Sequence, residues 1–152
     1  MELFYEGEER EDNPLKDKYL TFVLGKLRFG VALQNVLEVL PVQPAIRLPG
    51  MPSYFKGLIE LRGSVMPLLD LRLRCGMEEA AYREKSCVVL IDTPQCTVGV
   101  LADEAADVET IPPEAMASPS EEVQQTLRGC IAGVSGDGSD QRLYLDLDRL
   151  IA

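Results

Sequence analysis

The chain has 152 residues, 46% of them hydrophobic, a formal net charge of −10 and no histidine. That is enough apolar material for one domain or two small subdomains sharing a core. The negative charge argues against nucleic acid, whose phosphates need a surplus of Lys and Arg, and against an anionic membrane surface; the missing histidine removes the commonest general base, metal ligand and proton shuttle, so no enzyme is expected.

Ten prolines and twelve glycines predict many turns and a mainly β fold. Residues 1–18 read as an acidic N-terminal arm, with Leu3, Phe4 and Tyr5 its apolar exception. The arm has no apolar signal core and no run is long enough to span a bilayer, so a cytoplasmic protein without membrane insertion is expected. Residues 19–24 and 27–32 form a strand pair around Gly25-Lys26. Leu33, Val36, Leu37 and Leu40 recur at helical spacing, predicting a short helix up to Pro41. Residues 45–48 read as a short strand and 49–52 as a Pro/Gly loop.

Residues 58–62 and 65–69 form a hairpin turned at Gly63-Ser64, and Asp70 stands where it would cap a short helix at 71–74. A polar loop at 77–86 follows, then a strand pair at 87–92 and 97–102. Residues 108–111 and 130–134 are shorter strands, separated by a Pro-, Ser- and Glu-rich loop with room for one helical turn. Residues 142–147 make the last strand, and Asp148 is expected to cap a final turn.

Cys75, Cys87, Cys96 and Cys130 include no C-x-x-C pair, so neither a zinc knuckle nor a thioredoxin-type motif is supported, and reduced, mostly buried thiols are expected. Asp103, Glu104 and Asp107 lack the glycine-punctuated spacing of a calcium loop. No metal, catalytic residue or cofactor is expected.

The two halves resemble each other. Phe29-Gly30-Val31, a turn at Gly63 and Leu69-Asp70-Leu71 recur in order as Val98-Gly99-Val100, Gly136 and Leu145-Asp146-Leu147. A repeat of this kind predicts two similar small barrels, each closing its strands to avoid bare edges, with a groove between them.

The run Phe29-Gly30-Val31, Val36-x-Glu38-Val39, Pro52-x-x-Phe55-Lys56-Gly57-Leu58-Ile59 and Leu61-Arg62-Gly63-x-Val65-x-Pro67-Leu68-Leu69-Asp70-Leu71-Arg72 resembles the CheW family of chemotaxis coupling proteins. Over residues 19–151 the resemblance implies two intertwined, SH3-like five-stranded β-barrels and no enzymatic activity. It implies an adaptor between the cytoplasmic hairpin tip of a chemoreceptor and the regulatory domain of a CheA-type histidine kinase. Val36, Glu38 and Arg62 match family positions associated with receptor docking, and Gly57 and Gly63 match glycines that shape the hairpin. The family usually has Asn where this chain has Glu60. On one strand Glu60 and Arg62 share a face and could pair, which points to a divergent receptor.

Residues 41–75 hold five bases against two acids, and residues 92–125 hold eight acids and no base. Two opposite patches suit an adaptor that meets two partners. The competing readings are a small-barrel module for single-stranded nucleic acid, opposed by the charge and the absence of tryptophan, and a thiol enzyme using Cys75 beside Arg74.

Overall fold

The first hairpin shows how the strands arise. Lys18–Leu24 (β1) and Leu27–Ala32 (β2) alternate their side chains between two faces. Gly25 supplies the positive φ, 60°, that a two-residue hairpin loop needs, and Phe22 stands opposite Phe29 with stacked rings 5.9 Å apart. The computed structural model describes residues 13–151; residues 1–12, with most of the acidic arm and Leu3, Phe4 and Tyr5, lie outside the described residues.

The remaining strands are Val36–Pro41 (β3), Phe55–Leu61 (β4), Ser64–Asp70 (β5), Cys87–Asp92 (β6), Thr97–Ala102 (β7), Glu104–Thr110 (β8), Ile131–Ser135 (β9) and Arg142–Leu145 (β10). Two short helices, Leu71–Arg74 (α1) and Glu121–Thr126 (α2), are capped by Asp70 and Ser120, whose side chains accept from Leu73 N and Val123 N. The strands assemble into two five-stranded sheets, in the orders β8-β1-β2-β10-β9 and β3-β6-β7-β5-β4.

These orders superimpose when β1 to β5 are matched with β6 to β10, so the internal repeat is real at the level of topology. Neither half builds its own sheet, however. The first sheet takes β1 and β2 from the first half and β8 to β10 from the second; the second sheet takes the complement. The ring of each sheet is closed by one isolated bridge from the segment after its edge strand: Ile46 to Leu58 in the second, Ala117 to Val134 in the first. Exchange and closure together leave few bare strand edges.

The exchange also explains the continuous apolar run of β6. Cys87, Val89 and Ile91 join a large core shared by both sheets, while Val88 and Leu90 turn the other way, into the interior of the second barrel with Ile59, Met66, Leu68 and Leu101. A strand buried on both faces has no polar side to alternate with.

Several sequence expectations are corrected. The helix expected at 33–40 is a 3-10 turn, Leu33–Asn35, followed by β3. Pairing of β3 with β6 overrides the helical spacing, and burial along it alternates with period two. Of the strand expected at 45–48, only Ile46 pairs. The strand expected at 108–111 starts at Glu104 and ends at Thr110. The last strand stops at Leu145, and Asp146, not Asp148, caps the final turn, its Oδ1 accepting from Asp148 N at 3.1 Å.

Candidate functional site

The β4–β5 hairpin is turned by Arg62 and Gly63, both with positive φ (52° and 84°), between the paired residues Leu61 and Ser64. Two successive left-handed residues make the loop whose twist matches the flanking strands. Gly63 fits without strain; Arg62 does not, and a non-glycine residue held there costs about 1–3 kcal/mol. Its backbone leaves the strand direction, so its side chain no longer shares a face with Glu60. Arg62 Nη2 instead lies 2.6 Å from Glu38 Oε2 of β3. The expected Glu60–Arg62 pair is therefore absent: Glu60 is exposed beside its cross-strand neighbour Val65. The hydrogen bond and charge of Glu38 raise the pKa of Arg62, so the guanidinium stays protonated.

Gly57 holds φ at +142°, and a Cβ there would lie 2.5 Å from the carbonyl oxygen of Ile46, the residue that closes the barrel. Its role is to let that closing segment approach. Asp70 is buried, and burial raises its carboxyl pKa despite the hydrogen bond it accepts from Leu73 N at 3.4 Å. It is a cap at the end of β5.

Beside the hairpin turn is a concavity of about 560 Å³ lined by Leu37, Glu38, Leu61, Arg62, Ser64, Val65, Met66, Pro67, Leu90, Cys96 and Thr97. Among these, Leu37 and Val65 are 56% and 62% exposed, so an ion pair stands within an apolar frame. Of the four expected contact residues, Glu38 and Arg62 line this concavity. Val36 packs against the shared core one residue away, and Glu60 is on the outer surface of β4. Sequence reasoning missed Leu37 and Val65. Leu37 falls within the expected helix, and Val65 is expected only as the first residue of a strand; its position one residue before buried Met66 turns it outward.

Folding partly neutralises the acidic stretch at residues 92–125, because four of its eight acids, Asp103, Glu104, Asp107 and Glu109, meet bases across the fold. Asp103 Oδ2 accepts from Arg72 Nη2 at 2.6 Å and from Gly25 N at 2.7 Å. Arg142 grips Glu109 through two bonds of 3.2 and 3.1 Å, and Lys85 reaches Glu104. Arg72 with Asp103 ties the first hairpin, α1 and the β7–β8 turn together in a site largely shielded from water.

Cys75, Cys87 and Cys130 are buried and Cys96 is exposed. A hydrogen bond to Cys130 and burial both raise the Cys75 pKa above the ordinary thiol range. Among the described residues no three His, Cys, Asp or Glu side chains gather as a metal site, and no described helix is long and apolar enough to cross a membrane.

The profile of one protein family, described as the CheW-like domain, matches residues 18–152. The chain belongs to the CheW-like domain family. Among CheW relatives it is similar to the chemotaxis protein CheW of Klebsiella aerogenes, 26% identical over 89% of this chain and 81% of that one, and to the chemotaxis protein CheW of Bacillus subtilis, 30% identical over 72% and 70%. The CheW fold is matched by the crystal structure of the scaffolding protein TtCheW from Thermoanaerobacter tengcongensis, with a TM-score of 0.80, 22% identity, and coverage of 88% of this chain and 91% of that one.

Proposed function

We propose that this CheW-like protein is a non-enzymatic adaptor that couples the cytoplasmic hairpin tip of a chemoreceptor to the regulatory domain of a CheA-type histidine kinase, in the cytoplasm and recruited to receptor arrays through those partners. Family membership supports the coupling role. The observation that carries the choice of docking face is the concavity at the β4–β5 turn, where the Arg62–Glu38 pair is framed by exposed Leu37 and Val65. Apolar side chains around a charged pair give a partner helix both area to bury and a register to read. Val36 supports the frame from the core side, and Glu60, on the outer surface, is positioned to adjust receptor choice at the rim.

Cys96 makes the face directly testable, since it lines the concavity and is exposed while the other three thiols are buried. Alkylation of Cys96 should slow when a receptor cytoplasmic fragment is added, and the receptor fragment and kinase regulatory domain should co-sediment with the protein. An unchanged Cys96 rate with full co-sedimentation moves the receptor to another face; failure to bind either partner ends the adaptor reading. Exchanging Asn for Glu60 tests the rim, with altered receptor affinity or receptor choice expected.

A further inference from the structure

The shared core contains a pair of thiols that docking does not use. Cys75 ends α1 as its C-cap, and Cys130 immediately precedes β9. Their Sγ atoms are 3.7 Å apart, and the residues are 1% and 0% exposed. Fifty-four residues of chain separate them, carrying β6, β7, β8 and α2. Each thiol adjoins a backbone built to bend: Gly76 follows Cys75 with φ 80°, and Arg128 and Gly129 precede Cys130 with φ 58° and 76°. A disulfide needs its sulfurs at about 2.05 Å, so closing the pair takes a small movement beside these turns.

The surroundings are electropositive. Arg74 donates to the carbonyl oxygens of Leu150, Arg149 and Arg128 at 2.7, 2.7 and 3.3 Å, which fixes its charge beside the pair. Cys75 donates its S–H to Cys130. That hydrogen bond lowers the Cys130 pKa, and the charges of Arg74 and Arg128 add to the effect against burial and the opposing charge of Asp146. The first thiolate therefore forms on Cys130, with Cys75 the thiol that follows it.

We propose that Cys75 and Cys130 are a redox pair that closes to an intramolecular disulfide when the protein meets hydrogen peroxide, joining the end of α1 to the start of β9 across the shared core. The Cys130 thiolate attacks one peroxide oxygen, the O–O bond breaks, and the departing hydroxide takes up a proton to leave as water. Cys130 is then a sulfenic acid. Cys75 loses its proton and attacks the Cys130 sulfur; the S–S bond forms and the sulfenic oxygen leaves as a second water. Two thiols and one peroxide become one disulfide and two waters, a two-electron oxidation. Peroxide is small enough to reach the pair through local opening at the Arg128-Gly129 turn.

The full chain is treated with hydrogen peroxide, quenched, unfolded in N-ethylmaleimide and digested. Expected are Cys75 and Cys130 peptides linked and two hydrogens lighter than their sum, and a melting temperature roughly 5–15 °C higher, reversed by dithiothreitol. Because replacing a buried cysteine can itself unfold the protein, the deciding variant is Cys96→Ala, at an exposed position. It keeps three thiols, and oxidation should reduce the number titratable in denaturant from three to one without any covalent dimer. Three thiols remaining, linkage through Cys87, or Cys75 and Cys130 both carrying maleimide would overturn the proposal.

Discussion

The two barrels are built on one plan and filled with different chemistry. Across the second sheet, Leu90, Gly99, Leu68 and Gly57 stand in one register row; across the first, the same row reads Thr21, Gly30, Tyr144 and Gly133. The second interior is wholly apolar. In the first, Tyr144 lies over Gly30, where a Cβ would meet its ring at 2.6 Å, and its hydroxyl is 2.7 Å from Ser135 Oγ. Thr21 Oγ1 exchanges hydrogen bonds with both backbone groups of Asp107. A barrel interior of this size thus accepts either kind of row, provided each buried polar group finds a partner. Filling differs too: the first barrel keeps a concavity of about 280 Å³ beside Tyr19, Met116 and Tyr144.

The largest effect should come from the glycines under the closing segments. Gly57→Ala combines a left-handed φ with a collision against the Ile46 backbone, and should cost about 4 kcal/mol or more in urea unfolding. Gly133→Ala meets only the thioether of Met116, which can swing aside, and should cost about 1 kcal/mol. Equal costs would mean that the two closing segments crowd their glycines alike.

Next come one change in the tie between the sheets and one in the apolar row. Arg72→Ala leaves Asp103 without its charged partner and should cost about 3 kcal/mol. Leu68→Ala should cost about 2–5 kcal/mol by opening a cavity in the second barrel.

In the polar row, Tyr144→Phe should cost only about 1 kcal/mol, and it carries a pH signature. Burial raises the Tyr144 pKa in the folded state, so its contribution is complete below the unfolded value, near 10, and is lost as pH rises above that toward the folded value. The variant should therefore show a flatter decline in stability above pH 10; an unchanged alkaline limb would show that Tyr144 does not titrate with unfolding. The smallest effect on stability belongs to Arg62→Ala. Its side chain is 65% exposed, so the urea midpoint should not move measurably, while retention of a receptor fragment should fall.

The β class, the three hairpins β1–β2, β4–β5 and β6–β7, the Asp70 cap and the existence of a repeat were legible in the sequence, while the β4–β5 turn, expected at Gly63-Ser64, falls one residue earlier at Arg62-Gly63. These are local features: period-two burial, a carboxylate before free N–H groups, and glycine where φ must be positive. The same locality explains its errors. Residues 33–40 satisfy a helical spacing, and Val36–Pro41 become a strand only because β6, about a third of the chain further on, supplies the partner. Glu60 was matched to Arg62 because they are two apart, yet the turn at Arg62 hands the guanidinium to Glu38, 24 residues back. Which half's strands enter which sheet, which charges pair, and the meeting of Cys75 with Cys130 were not legible in the sequence, because each depends on strands brought together by burial of a common apolar surface.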